Sequence, residues 1–148
     1  MTETDIQIFL NGTLDYFVRV SQSEPRLDTP YLRSDENVIL DYTGAISISG
    51  RERGSVMFTA EKEMLQELIQ GLGDDDLSEA NCRDMVGEVA NTISGNARRE
   101  LGSSFAISIP AIFDAAANQC HLAEAHRTFV IPIYWKRHKS HLLVSIES

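Results

Sequence analysis

The chain has 148 residues, of which 43% are hydrophobic and 24% charged, a balance typical of soluble globular domains and unlike that of disordered chains. This length is enough to bury a core without disulfides or structural metals, so we expect one domain over residues 1–148. With 13 Lys and Arg against 22 Asp and Glu, the formal net charge is -9. That charge disfavours binding to the phosphate backbone of nucleic acids.

The N-terminus and the cysteines indicate a reducing, aqueous compartment. Residues 1–5 lack the basic segment and the apolar run of a signal peptide, and no stretch approaches the roughly 18 apolar residues of a membrane-spanning helix. We therefore expect a cytoplasmic protein without a membrane partner. Cys82 and Cys120 are far apart and lack a metal-ligand spacing, which favours free, partly buried thiols.

The first half of the chain reads as helix, hairpin and helix. Apolar residues at helical spacing, Ile6, Phe9 and Phe17 among them, define the first helix. Gly73 is placed to end the second helix. The patterns predict a helix over 5–20, a loop over 21–37, a strand over 38–48, a turn over 49–54, a partner strand over 55–59 and a helix over 61–72.

The second half begins with an acidic turn at 74–76, which favours the start of the next helix rather than a cation site. The longest helical pattern follows over 79–101, and Gly102 ends it. A strand over 104–109 closes at Pro110, and the Ala-rich stretch 111–126 carries no clear pattern. Strands over 128–135 and 141–147 form a terminal hairpin around 136–139. We expect its apolar strands to offer an open sheet edge.

This order of elements predicts an α/β (α+β) fold in which helices pack on a sheet rich in antiparallel pairs. It also hints at two similar halves, each a helix followed by strands.

The long helix has two contrasting faces at about 100° per residue. One face collects Val86, Val89, Ala90, Ile93, Ala97 and Leu101. The other carries Asp84, Glu88, Asn91 and Gly95. We expect the first set to be buried against the sheet and Glu88, Asn91 and Gly95 to lie exposed along a shallow groove. The alternative is an ordinary solvent-facing surface with no function.

Two residues on the polar face are costly for a helix. Asn91 lowers helix propensity, and Gly95 costs about 1 kcal/mol relative to alanine. Glycine at such a place allows another backbone to approach closely. Glu88 and Asn91, three residues apart, place a carboxylate beside a carboxamide.

The segment 87–97, with sequence GEVANTISGNA, resembles the signature helix of the CheX-like, CheC-related chemotaxis phosphatases, in which Glu-x-x-Asn precedes Gly-Asn-Ala. Asp84, four residues before Glu88, is also typical of that pattern. The segments 43–46, 54–56 and 130–133 continue the similarity. Pro110 follows Asn91 at a shorter spacing than the family's downstream proline. The first helix lacks a Glu-x-x-Asn pair, so the resemblance implies one active face, as in the CheX type.

The resemblance implies a CheC-like pseudo-symmetric sandwich and a phosphatase that hydrolyses the aspartyl phosphate of a CheY-like receiver domain. Asn91 would orient the attacking water and Glu88 would dock a receiver lysine, while Asp84 and Gly95 would help to bind the substrate. Mg²⁺ would belong to the receiver, so no cofactor or metal site is expected in this chain. A homodimer is also implied.

A second class of function stays open: a non-catalytic module that binds receivers or acts as a scaffold, related to the flagellar switch proteins. The histidines add no metal chemistry, because neither His121 with His126 nor His138 with His141 makes a persuasive ligand set. We expect them to be surface or interface residues. Trp135 and Tyr134 are expected in the core or at an interface.

Overall fold

The computed structural model describes residues 1–115 and 127–147. Within these residues the helices are α1 (Glu3–Ser21), α2 (Lys62–Gly71) and α3 (Glu79–Leu101). The strands are β1 (Arg26–Leu27), β2 (Tyr31–Leu32), β3 (Tyr42–Gly50), β4 (Gly54–Ala60), β5 (Phe105–Ile107), β6 (Ala111–Asp114), β7 (Arg127–Trp135) and β8 (His138–Ile146). No helix among these residues is long and apolar enough to cross a membrane.

The described strands form one sheet in the order β1-β7-β8-β4-β3-β5, with β2 also paired to β7 and β6 to β3. Every pairing is antiparallel; the register places Leu142 opposite Ile131 and Phe58, and Ile46 opposite Val56. The prediction of helices packed on an antiparallel sheet is therefore confirmed.

The main core lies between the three helices and one face of the sheet. Phe17 of α1 packs near Phe58 and Trp135, with ring centroids 6.3 and 6.1 Å away. The Trp135 indole Nε1 donates a 2.9 Å hydrogen bond to Ser21 Oγ, which satisfies the polar atom of this buried ring. The predicted core position of Trp135 is confirmed.

A smaller cluster covers part of the opposite face, where Val38 packs against Val130 and Leu143. This explains a difference from the predicted boundaries. The strand expected over 38–48 begins only at Tyr42. Val38 and Ile39 are apolar because their side chains pack against a face of the sheet, and they do not pair with a neighbouring strand.

Short strands also form where no sequence pattern indicated them. The predicted loop over 21–37 contains β1 and β2, and β6 begins the unassigned stretch over 111–126. The terminal hairpin turns at Lys136 and Arg137, and β8 starts at His138. Two- to four-residue strands have too few residues for an alternation to be recognised, so only pairing partners reveal them.

The expectation of an open edge at the terminal hairpin was wrong. β8 lies between β7 and β4, and the other side of β7 is paired to β1 and β2. The apolar strands are thus in the middle of the sheet, and short strands cover its edges, which limits unwanted pairing. The homodimer stays a prediction that rests on the resemblance alone.

Two of the histidines were also placed wrongly. His138 and His141 are buried rather than at the surface. His138 Nε2 lies 2.8 Å from Glu67 Oε1, and His141 Nδ1 lies 2.7 Å from the Val38 carbonyl oxygen. Each partner satisfies one ring nitrogen of a buried histidine. His121 and His126 lie outside the described residues.

Two smaller expectations concern Cys82 and the acidic turn. Cys82 is buried and free, and burial raises the pKa of its thiol; Cys120 lies outside the described residues. The backbone amides of Asp76 and Ser78 donate to the carboxylates of Asp74 and Asp76. The predicted acidic turn ahead of α3 is confirmed.

Candidate functional site

Helix α3 carries the predicted site and has well-defined ends. Ser78 Oγ accepts a hydrogen bond from the backbone amide of Asn81 at the first turn, a standard N-cap. Gly102, with φ of +93°, ends the helix in a conformation that other residues rarely adopt. The 23 residues between these caps form a continuous helix, which gives the site a rigid support.

The predicted orientation of α3 is confirmed. Val86, Ala90 and Ile93 are 0% exposed and Ala97 is 1% exposed. Asp84, Glu88 and Asn91 are exposed. Gly95 is half-buried rather than exposed, because without a side chain its backbone lies below its neighbours. We call Asp84, Glu88, Asn91 and Gly95 together the polar ridge.

Two glycines allow α3 to pack closely on the sheet and so set the distance between the polar ridge and the sheet. A Cβ at Gly44 of β3 would lie 2.7 Å from the carbonyl oxygen of Val86, and a Cβ at Gly87 would lie 2.6 Å from Ile112 Cδ1. The helix therefore touches the sheet backbone directly before Glu88. No sequence pattern assigned this role to either glycine, although both fall within the segments that carried the resemblance.

Helix α1 flanks the polar ridge on one side and runs antiparallel to α3. Gly12 approaches the Ile93 carbonyl oxygen and Asn96, while Tyr16 lies close to Glu88. Burial, together with the negative charge of Glu88, raises the pKa of Tyr16 far above its ordinary value. The tyrosine is protonated at neutral pH even at its ordinary pKa, and the shift extends its protonated range to more alkaline pH.

The segment 105–114 flanks the other side. Arg98 Nε donates a 3.0 Å hydrogen bond to the Phe105 carbonyl oxygen. Further along, Gly87 faces Pro110 and Ile112, and Arg83 forms an ion pair with Asp114. Residue numbers rise along the segment as they fall along α3 in these contacts, so the segment runs antiparallel to the helix. The polar ridge is an exposed strip between two structured flanks.

The functional groups of the polar ridge are available to a partner. Within the described residues, neither the Glu88 carboxylate nor the Asn91 carboxamide makes a hydrogen bond, and Thr92 Oγ1 bonds only to the Glu88 backbone carbonyl, at 2.9 Å. A carboxamide both donates and accepts, so Asn91 can orient a water molecule. No group of three or more His, Cys, Asp or Glu residues in this part of the chain is placed to hold a metal ion.

An open cleft of about 560 Å³ lies between α1 and α3. Its lining combines Asn11, Asp15 and Arg19 of α1 with Asn96 and Arg99 of α3. The lining is largely polar, which suits contact with a protein surface better than the mostly apolar lining of small-molecule pockets does.

One protein-family model matches the part of the chain that includes the site helix. Residues 42–134 match the family model described as chemotaxis phosphatase CheX, and this match contains the whole of α3. The chain belongs to the CheX family. A search of curated proteins found no match.

Solved structures of CheX and CheC-like proteins have the same fold. CheX from Desulfovibrio desulfuricans is 23% identical, with a TM-score of 0.84 over 97% of this chain and 99% of that one. A CheC-like superfamily protein from Shewanella sp. PV-4 is 21% identical, with a TM-score of 0.85 over 100% of both chains. CheX in a CheX-CheY-BeF3-Mg²⁺ complex from Borrelia burgdorferi is 19% identical, with a TM-score of 0.77 over 97% of both chains. At these identities the likeness establishes the CheC-like fold.

Proposed function

We propose that this chain is a phosphatase that hydrolyses the aspartyl phosphate of a CheY-like receiver domain. The observation that carries the proposal is the exposed pair of Glu88 and Asn91, free of hydrogen-bond partners in the described residues, on a helix fixed at both ends. Membership of the CheX family supports it. A flat, exposed site suits a protein substrate, whose own pocket encloses the reacting group.

Asn91 is the catalytic residue in this proposal. An acyl phosphate has a good leaving group, and phosphoryl transfer through a loose transition state needs mainly an in-line water and charge stabilisation. A neutral carboxamide orients that water without bringing negative charge to the phosphoryl group. The exposure of Asn91 leaves it able to enter the receiver's pocket.

Glu88 has a docking role, because its negative charge would be repelled by the phosphoryl group and suits a lysine of the receiver instead. The divalent cation belongs to the receiver in this proposal. The CheX-CheY complex from B. burgdorferi, which contains BeF3 and Mg²⁺, supports both the partner and the ion. Asp84, one turn before Glu88, extends the same docking contact.

Among the described residues, the packing around Gly95 does not require a glycine. A Cβ at this position would meet no atom of these residues within 4 Å, and its φ lies outside the left-handed region. Alanine there would favour the helix by about 1 kcal/mol. We therefore infer that Gly95 allows the receiver to approach the helix closely, since it lies one turn after Asn91.

The test measures dephosphorylation of the host's phosphorylated receivers. We expect Asn91→Ala to lower the maximal rate by about 100-fold, as for loss of one group that acts in the transition state. Affinity for the receiver activated with BeF3 should be nearly unchanged. Gln7→Ala, which removes an exposed carboxamide of α1 that does not line the cleft, is the matched control and should retain the wild-type rate.

A second variant separates an effect on receiver docking from an effect on folding. Gly95→Ala should raise the stability of the helix yet weaken receiver binding, since its new methyl group projects into the interface. If Asn91→Ala keeps the wild-type rate, the assigned mechanism is wrong. If the wild-type chain binds activated receivers but never accelerates dephosphorylation, the protein is instead a non-catalytic receiver-binding module.

A further inference from the structure

We propose that Tyr16 of α1 is a positioning residue for Glu88: when the receiver docks, the Tyr16 hydroxyl donates a hydrogen bond to the Glu88 carboxylate and holds it toward the receiver lysine. The inference rests on the proposed function and adds a residue from a second helix to the docking surface. Glu88 is exposed, and its carboxylate has no hydrogen-bond partner within the described residues. Such a long side chain loses rotamer freedom on docking, and a neighbouring donor lowers that entropy cost.

The packing of α1 on α3 places Tyr16 beside Glu88. A Cβ at Gly12 would lie 3.5 Å from the Ile93 carbonyl oxygen, so the two helices are in close contact there. Tyr16 lies one turn further along α1. Because the helices are antiparallel, it is level with the turn of α3 before Ile93, which carries Glu88. Accordingly, Glu88 is the charged group that adds to burial in raising the pKa of Tyr16.

The Tyr16 ring is fixed, while its hydroxyl is free to form a bond. The residue is 4% exposed, and its ring packs edge-on against Phe17 with centroids 5.3 Å apart. In the described part of the chain the hydroxyl makes no hydrogen bond, yet it is not one of the fully buried polar atoms without a partner. It therefore keeps access to the surface between α1 and α3, where Glu88 lies. Hydrogen bonds of a functional site often form only once the substrate is bound.

A phenol suits this role better than a cationic side chain does. It is neutral at physiological pH, so it orients the carboxylate and leaves the negative charge of Glu88 to the receiver lysine. An arginine or lysine in its place would form an ion pair with Glu88 and compete with that lysine. A carboxylate has about four lone-pair sites, so it can accept from the phenol and from the lysine together.

The test is a double-mutant cycle on KM and kcat for the phosphorylated receiver. Tyr16→Phe removes the hydroxyl and keeps the ring. We expect it to raise KM about tenfold, as for loss of a hydrogen bond to a charged group, with kcat at saturation unchanged. In a Glu88→Ala background, Tyr16→Phe should raise KM no further, because the acceptor is already absent. Tyr42→Phe is the matched control and should keep the wild-type KM, since Tyr42 is also buried, at 7% exposed, and its charged neighbours do not include Glu88.

Melting temperatures of all variants set the conditions, so that the kinetics are measured where each variant is fully folded. A Tyr16→Phe chain with the wild-type KM overturns the inference and leaves the proposed function standing. An equal rise in KM with and without Glu88 also contradicts it, because the hydroxyl then acts independently of the carboxylate. So does a fall in kcat at constant KM. A wild-type chain that neither binds nor dephosphorylates any receiver overturns the proposed function and the inference together.

Discussion

Replacing Gly44 by alanine tests the contact that sets the height of α3 above the sheet. The added Cβ would lie 2.7 Å from the Val86 carbonyl oxygen and 3.1 Å from Gly87 Cα. All the close atoms belong to the backbone, so no side chain can rotate away. The helix has to retreat from β3, or the strand has to bend.

The magnitude follows from these distances. Ordinary contact begins at 3.4 Å, so α3 has to move by roughly 0.7 Å at this point, and interiors this densely packed resist such a shift. Overpacking of this kind costs about 1–3 kcal/mol. A loss of about 2 kcal/mol corresponds to a melting temperature lower by about 4–8 °C for a domain of this size.

The assay is urea and thermal unfolding followed by circular dichroism. Gly71→Ala, at the end of α2 where a Cβ meets no described atom within 4 Å, is the matched control and should be at least as stable as the wild type. Since Gly44 lies under the residue before Glu88, Gly44→Ala should also lower phosphatase activity. A Gly44→Ala protein as stable and active as the wild type would refute the close helix-sheet contact.

Two further predictions concern buried polar groups. Ser94 is 2% exposed and its hydroxyl has no hydrogen-bond partner in the described residues, so Ser94→Ala should leave stability unchanged or raise it by up to about 1 kcal/mol in urea unfolding; clear destabilisation would contradict this. Burial lowers the pKa of His141 below 6.5, so its neutral form is favoured in the folded state, where Nδ1 donates to Val38. The contribution of neutral His141 to the free energy of unfolding should be fully present above pH 6.5 and be lost as the pH falls through the lowered pKa. The variant His141→Asn should therefore flatten that part of the plot of unfolding free energy against pH.

The amino-acid sequence by itself determined the site helix, its orientation and the residues exposed on it. Val86, Ala90 and Ile93 repeat at the spacing of one helical face, and burial of that face leaves Glu88 and Asn91 on the surface. Such periodicity is local, so it can be read without knowing the partner of the helix. The segment around Asn91 also sufficed to indicate the CheX family, because its short motif is contiguous in the chain.

Only the tertiary structure decided what surrounds this helix. The contact of Gly44 with Val86, the ion pair of Arg83 with Asp114 and the burial of His141 under Val38 join residues far apart in sequence. Neither periodicity nor composition encodes such pairings, since they depend on which strands meet and in what register. The central position of β8 is decided in the same way, by pairing with β4 some 80 residues earlier in the chain.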